Sequence, residues 1–306
     1  MTNFGQIRQT ENVVVVEGQL SEVNLEYATD REGNENIRGD FKVRVAMTVK
    51  GEEVLLDVPV RVYHNKITKA GKTNPGYESM SRVLDSYSSI AAVGEDEADF
   101  IRVTGAQIRM QEYYAAGTDR LISYPSVQAS FVNLVRKDDV SPKASWRMEV
   151  FIYKMNEHVA QDENDADYLE IIGIGIEYNG SASVYPIRIY DKNIAEQFTN
   201  QFSAGDTVPL SGYLNFTSVT ETITEEVAIG EPIVKERTKN VSEIIVTGAK
   251  NPIPDAFTTQ EIQQATALRE KRLEQSKQRA NQQAQNSQKT VTKEPSVNEV
   301  HDLAGF

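Results

Sequence analysis

The sequence predicts a mostly β protein: two tandem five-stranded barrels, each with a helix between its third and fourth strands, followed by a polar tail. Three observations lead there. β-Branched and aromatic residues alternate with polar ones up to about residue 255 and nearly vanish beyond it. Before that point the order three strands, helix, two strands occurs twice. Two pairs of segments in matched positions also overlay, one of them almost residue by residue.

In the first half, Glu11–Ala28 reads as a long strand of mixed burial, and Phe41–Val49 alternates with period two. Lys50-Gly51 turns the chain into a third strand, Val54–Tyr63. A basic loop containing Gly and Pro leads to a predicted helix at Glu78–Ala92, and strands follow at Asp99–Tyr114 and Ser126–Val135. Asp138 to Lys143 has no apolar requirement and reads as a linker.

The second half runs through the same elements. Trp146–Met155 and Tyr168–Tyr178 are strands, and Asn179-Gly180 is a strong hairpin signal before Ser183–Tyr190. Asn193–Phe202 carries Ile194, Phe198 and Phe202 at helical spacing, and strands Thr207–Thr217 and Val241–Thr247 close the unit. Val58-Pro59-Val60-Arg61-Val62-Tyr63 overlays Tyr185-Pro186-Ile187-Arg188-Ile189-Tyr190. Phe100 to Gly105 likewise overlays Val208 to Gly212, with the glycines suited to a bend at a barrel corner. A duplicated domain is the economical explanation. The expected boundaries are 1–137 and 145–255 for the two barrels, 138–144 for the linker and 256–306 for the tail. The order of elements is that of the oligonucleotide-binding fold, a partly open Greek-key barrel, although other small barrels share it.

The tail holds nine glutamines and no aromatic residue between 260 and 288. Such a composition buries too little apolar surface to offset its ordering entropy. Thr258 and Glu261 have capping-box spacing, and Ile262, Ala265 and Leu268 form a short stripe, so a helix is expected at the start. Disorder is expected over 286–306.

Composition narrows the function. The absence of cysteine removes thiolate metal sites and thiol nucleophiles. His64, His158 and His301 have no ligand spacing to one another, and neither metal nor cofactor is expected. Ala70-Gly71-Lys72-Thr73 resembles the end of a phosphate-binding loop, but position 66 is Lys where that motif needs Gly. The acidic runs Glu95-Asp96-Glu97 and Asp162-Glu163-Asn164-Asp165 read as solvated loops. No constellation of paired carboxylates and base stands out, so the chain reads as a non-enzyme. With no secretory leader and no apolar run of membrane-spanning length, a soluble cytoplasmic protein is expected.

A net charge of -13 repels a polyanion, so any nucleic-acid face must be a local exception. One such exception exists. Val58 to Tyr77 carries Arg61, Lys66, Lys69 and Lys72 beside His64, with no acidic residue. Tyr63 and Tyr77 flank it, and Lys42 and Arg44 alternate on the preceding strand toward the same face. Basic side chains that track phosphates and aromatic faces that stack bases are what a single-strand groove requires. The matched strand of the second half offers Arg188, Tyr190 and Lys192, with Tyr185 pointing to the core.

The chain ends in a sparse acidic and apolar string, Val297 to Phe306, after the glutamine-rich spacer. A terminal Phe beside its own carboxylate suits a basic-rimmed pocket on a partner. With barrels, flexible linker and such a tip, the layout resembles bacterial and phage single-stranded DNA-binding proteins, and two fused modules look more like a phage version. The resemblance implies sequence-tolerant binding of single-stranded DNA in replication, recombination or repair, with an oligomer possible. It also implies recruitment of replication and recombination proteins by Glu299, Asp302, Leu303 and Phe306. The tip departs from the family pattern in having Gly305, not Pro, before the terminal Phe. A non-enzymatic assembly protein using β-barrels for protein contacts is the alternative.

Overall fold

Period-two alternation of apolar and polar residues turns into strands throughout 12–249. The computed structural model describes residues 7–49, 52–161, 165–225 and 233–291. The turn at Lys50-Gly51, most of the second acidic run and the C-terminal tip lie outside them.

Strands β1 (Asn12–Thr29), β2 (Glu35–Val49) and β3 (Glu52–Asn65) form an antiparallel meander. Helices α1 (Pro75–Ser86) and α2 (Ile90–Val93) lead to β4 (Phe100–Tyr114), β5 (Leu121–Gln128) and β6 (Phe131–Val135). β3 meets β5 in parallel at Val60↔Val127 and Arg61↔Gln128, while β1 bends to pair with β4 as well as β2. Those pairings close a ring in the order β1-β2-β3-β5-β4. In β3 the alternation buries Leu56, Val58, Val60 and Val62 and turns Asp57, Arg61 and Tyr63 outward.

β7 (Lys143–His158), β8 (Tyr168–Ile176), β9 (Ala182–Ile189), α3 (Lys192–Gln201), β10 (Thr207–Glu225) and β11 (Ile233–Ala249) follow. Their pairings run in the same order, β7 to β8, β8 to β9, β9 to β11 in parallel, β11 to β10, and β10 back to β7. The Asn179-Gly180 turn forms as expected, with Gly180 at φ +78° and its N–H bonded to Glu177 O. Both corner glycines have a physical reason. Gly105 sits at φ +59°, where a side chain is strained. A Cβ on Gly212 would lie 1.8 Å from the Ile245 carbonyl oxygen.

The segment expected to be a free linker, 138–144, is partly built into the sheet. Ala144 is fully buried opposite Val16, because β7 begins at Lys143 and pairs antiparallel with β1. All the named strands thereby join one sheet, and one apolar cluster holds side chains from both halves. At the seam, Glu17 is buried and accepts hydrogen bonds from Arg102 (2.7 and 3.0 Å) and from the Ser141 N–H (2.9 Å), with the Lys143 ammonium at 3.3 Å. The Arg102 guanidinium chiefly holds its carboxyl down, from 4.5 to about 2. Tyr185 points inward as expected, its hydroxyl donating to Ile108 O of the first half, and burial pushes the phenol up to about 12.

Other boundaries moved. The first helix starts at Pro75, capped by the Asn74 side chain, and is interrupted after Ser86, not continuous over 78–92. The expected strand at 126–135 is two strands, β5 and β6. The capping box at Thr258 and Glu261 forms, and α4 (Thr259–Val291) runs on beyond 286, where disorder was expected. Ile262 and Ala265 pack on Ile174, Ile176 and Ala182. Farther along, Arg269 and Arg272 pair with the buried carboxylate of Glu112 on β4. No helix among the described residues is long and apolar enough to cross a membrane.

Candidate nucleic-acid interface

The outward side of β2 and β3 is built by register. Arg38 lies opposite Tyr63, Asp40 opposite Arg61, Lys42 opposite Pro59 and Arg44 opposite Asp57. Lys42, Arg44, Arg61 and Tyr63 therefore share one face, as the alternation predicts. The electrostatics are more mixed than the 58–77 window suggests. Lys42 pairs with Glu22 at 2.6 Å, Arg44 with Asp57 at 3.2 Å and Lys66 with Glu35 at 2.6 Å. Each hydrogen bond to a carboxylate raises its cation's pKa. The acids come from segments outside the window, so a window count of charge does not see them. Exposed pairs of this kind contribute only about 0–1 kcal/mol, so a phosphate can displace the carboxylate at little cost.

Three cations of the 58–77 window make no ion pair with a described carboxylate. Arg61 donates to Gln111 (3.3 Å) and to the Tyr124 hydroxyl (3.0 Å), with its guanidinium 5.8 Å from the Tyr124 ring centre. Lys69 and Lys72 stand exposed on a tight turn held by an Ile67↔Thr73 bridge and the Thr68 hydroxyl donating to Lys72 O. Tyr63 is 49% exposed on β3, opposite Arg38. His64 differs from expectation. Its Nε2 lies 2.9 Å from Ala129 O and its ring abuts Gly76, so it braces β3 against the start of α1. Tyr77 is half-buried against Tyr27, ring centres 6.1 Å apart, and offers only part of a stacking face.

In the second half, Arg188 is bound to Glu243 at 2.6 Å and lies 4.5 Å from the Tyr168 ring centre. The Tyr190 hydroxyl donates to the same Glu243 oxygen at 2.5 Å, and Asn215 Nδ2 donates to the other at 2.7 Å. Burial, then the bond to Glu243, raises the Tyr190 pKa strongly. Lys192 is exposed and pairs with Asp167 at 3.1 Å. Next to these, the His158 ring stacks on Tyr168 (4.3 Å, 18°), and Tyr168 tilts against Tyr190 at 5.4 Å. The three border a hollow of about 250 Å³ between the end of β7 and α3.

Sequence reasoning missed Arg38, Tyr124, His158 and Tyr168. Arg38 continues the period-two series of Lys42 and Arg44, so the signal was present. His158 and Tyr168 end and start neighbouring strands, a pairing visible only once the β7–β8 register is known. Glu299, Asp302, Leu303 and Phe306 lie outside the described residues.

A family model, YorF, matches residues 11–279. The chain belongs to the YorF family. Its fold is similar to the crystal structure of wild-type single-stranded DNA-binding protein from Thermus aquaticus, with a TM-score of 0.52 over 82% of this chain and 98% of that one, at 11% identity. A deletion mutant of the same Thermus protein gives a TM-score of 0.50 and 12% identity over the same shares. At such identities the likeness shows a shared fold. None of the curated proteins matches the sequence.

Proposed function

We propose that this chain is a non-enzymatic, sequence-tolerant binder of single-stranded DNA, built from two tandem oligonucleotide-binding modules and acting in DNA replication, recombination or repair. The repeated order of strand pairing supports two modules. The observation that carries the function is the strip on the first ring where Arg61, Tyr63 and Tyr124 share a face, with Lys69 and Lys72 exposed on the turn that follows β3. Cations there bind phosphates and the aromatic faces stack bases, about 1–3 kcal/mol per base. That the fold is also that of proteins named as single-stranded DNA binders agrees with this reading. In the same reading Glu299, Asp302, Leu303 and Phe306 recruit partner proteins.

Titration of a labelled oligo-dT at low and high salt tests the function. Binding is expected to be tight and to weaken linearly in log salt as counterions are released, with duplex of equal length bound far less. Failure to bind at about 50 mM salt, where phosphate contacts are strong, would leave the assembly reading. The exposed Phe131 and Leu134 of β6 favour that alternative.

A further inference from the structure

The first ring and the β10–β11 hairpin enclose a cleft of about 630 Å³, within the range of small-ligand sites. One wall is the outward face of β2, β3 and β5, with Asp40, Pro59, Arg61 and Tyr124. The other is Thr217 and Ser242. These walls are just over 200 residues apart in sequence at Asp40 and Ser242.

The charge of the cleft is informative. Asp40 and Asp57 line it together with Lys42 and Arg61, so its charges balance and no single sign dominates it. Neutral nucleobases suit such a balanced lining. Pro59, the Tyr124 ring and the Arg61 guanidinium supply flat surfaces for them. The two carboxylates are not equivalent. Asp57 is engaged by Arg44 through two hydrogen bonds of 3.2 and 3.3 Å. Asp40 has no side-chain hydrogen bond or ion pair among the described residues, although Arg61 stands opposite it in the ladder, because that guanidinium is turned to Gln111 and Tyr124. An ionised carboxylate only accepts, and this one is partly exposed with its charge felt by Lys42, so a donor that displaces water from the cleft can bond to it. Among pyrimidines, cytosine presents an exocyclic amine where thymine presents a carbonyl oxygen that Asp40 would repel.

Building on the single-strand reading above, we propose that this cleft seats a base whose exocyclic amine donates to Asp40, so that the chain prefers cytosine-bearing to thymine-bearing strands. Stacking elsewhere stays tolerant of sequence. Asp40 confers the bias.

The test compares oligo-dC and oligo-dT of equal length by fluorescence anisotropy on the full chain, at alkaline pH where oligo-dC stays unpaired. The wild type is expected to bind oligo-dC about five-fold more tightly, the lower end of what one specific base contact provides. In Asp40→Ala the ratio falls to about one, through weaker oligo-dC binding and equal or tighter oligo-dT binding. Asp40→Asn, which keeps an acceptor but loses the charge, falls between. Ser242→Trp fills the cleft from the opposite wall and lowers the ratio without touching Asp40. Equal binding of both strands by the wild type, or a preference that survives Asp40→Ala in a folded protein, overturns the proposal and leaves the general reading standing. Binding of neither strand overturns both.

Discussion

Arg61 and Arg188 occupy the same place in the two halves, yet they are held differently. Each lies on the third strand of its ring, one residue beyond a parallel pairing, Val60↔Val127 in one half and Ile187↔Ile244 in the other. The residue before that partner is Ser126 in the first half and Glu243 in the second. Glu243 captures Arg188 and Tyr190 together. Ser126 makes no such claim, so Arg61 rests on the neutral Gln111 and Tyr124. One side chain on a neighbouring strand thus decides whether a matched arginine is open to a phosphate or occupied by an internal carboxylate. Two halves can share the geometry of a face without sharing its chemistry.

Four experiments would break or sharpen that contrast. The largest effect concerns whether the halves are separate at all. Glu17 joins β1 to the start of β7 through Arg102, Ser141 and Lys143, and Glu17→Gln is expected to cost about 2–3 kcal/mol, the loss of charge-assisted hydrogen bonds. Its carboxyl is depressed from 4.5 to about 2, so this stability is present above about 4.5 and is lost as pH falls toward about 2. Denaturant unfolding of wild type and variant should therefore differ at neutral pH and converge in acid. A difference that persists unchanged in acid would remove Glu17 as the joint.

Next, Lys69→Glu with Lys72→Glu should weaken oligo-dT binding on the order of ten-fold or more, and flatten the log–log salt slope by about 1.4, two single-strand phosphate contacts. Unaltered affinity would put the groove elsewhere. A smaller effect is expected from Ser126→Glu, which installs the second half's carboxylate beside Arg61 and should lower affinity about five-fold, roughly 1 kcal/mol. If affinity holds, Arg61 is not a contact. The smallest is the reverse change. Glu243→Ser removes the carboxylate from Arg188 and should raise affinity about three-fold, within the range of one exposed charge contact. A fall in affinity in a protein that still folds would show that Glu243 organises the second face instead of blocking it.

How much of this was legible in the sequence depended on how local the signal was. The β3 alternation, the Asn179-Gly180 turn, the helical spacing of Ile194, Phe198 and Phe202, and the Thr258/Glu261 box are all short-range patterns, and all are present in the fold. β2 was read from Phe41 but begins at Glu35, because the charged and glycine-containing stretch before Phe41 hides the buried Ile37. β10 continues past Thr217 to Glu225 through a Thr- and Glu-rich arm with little apolar alternation. The basic window of the first half was visible, but three of its surrounding cations were already spoken for by Glu22, Asp57 and Glu35. His64 looked like part of the patch because sequence proximity says nothing of which way a side chain turns at the end of a strand.

By itself the sequence determined which residues alternate inward and outward, that the pattern occurs twice, and where local charge reverses sign. These depend on neighbours within a few positions, and strand geometry converts them directly into faces. Only the tertiary structure decided the rest: the β1–β7 seam that makes the halves one sheet, the capture of Arg188 by Glu243, and the cleft that Asp40 lines with no side-chain hydrogen bond among the described residues. Those outcomes depend on pairings between segments far apart in the chain. An electrostatic contact is governed by distance in space, and no linear window of residues measures that distance.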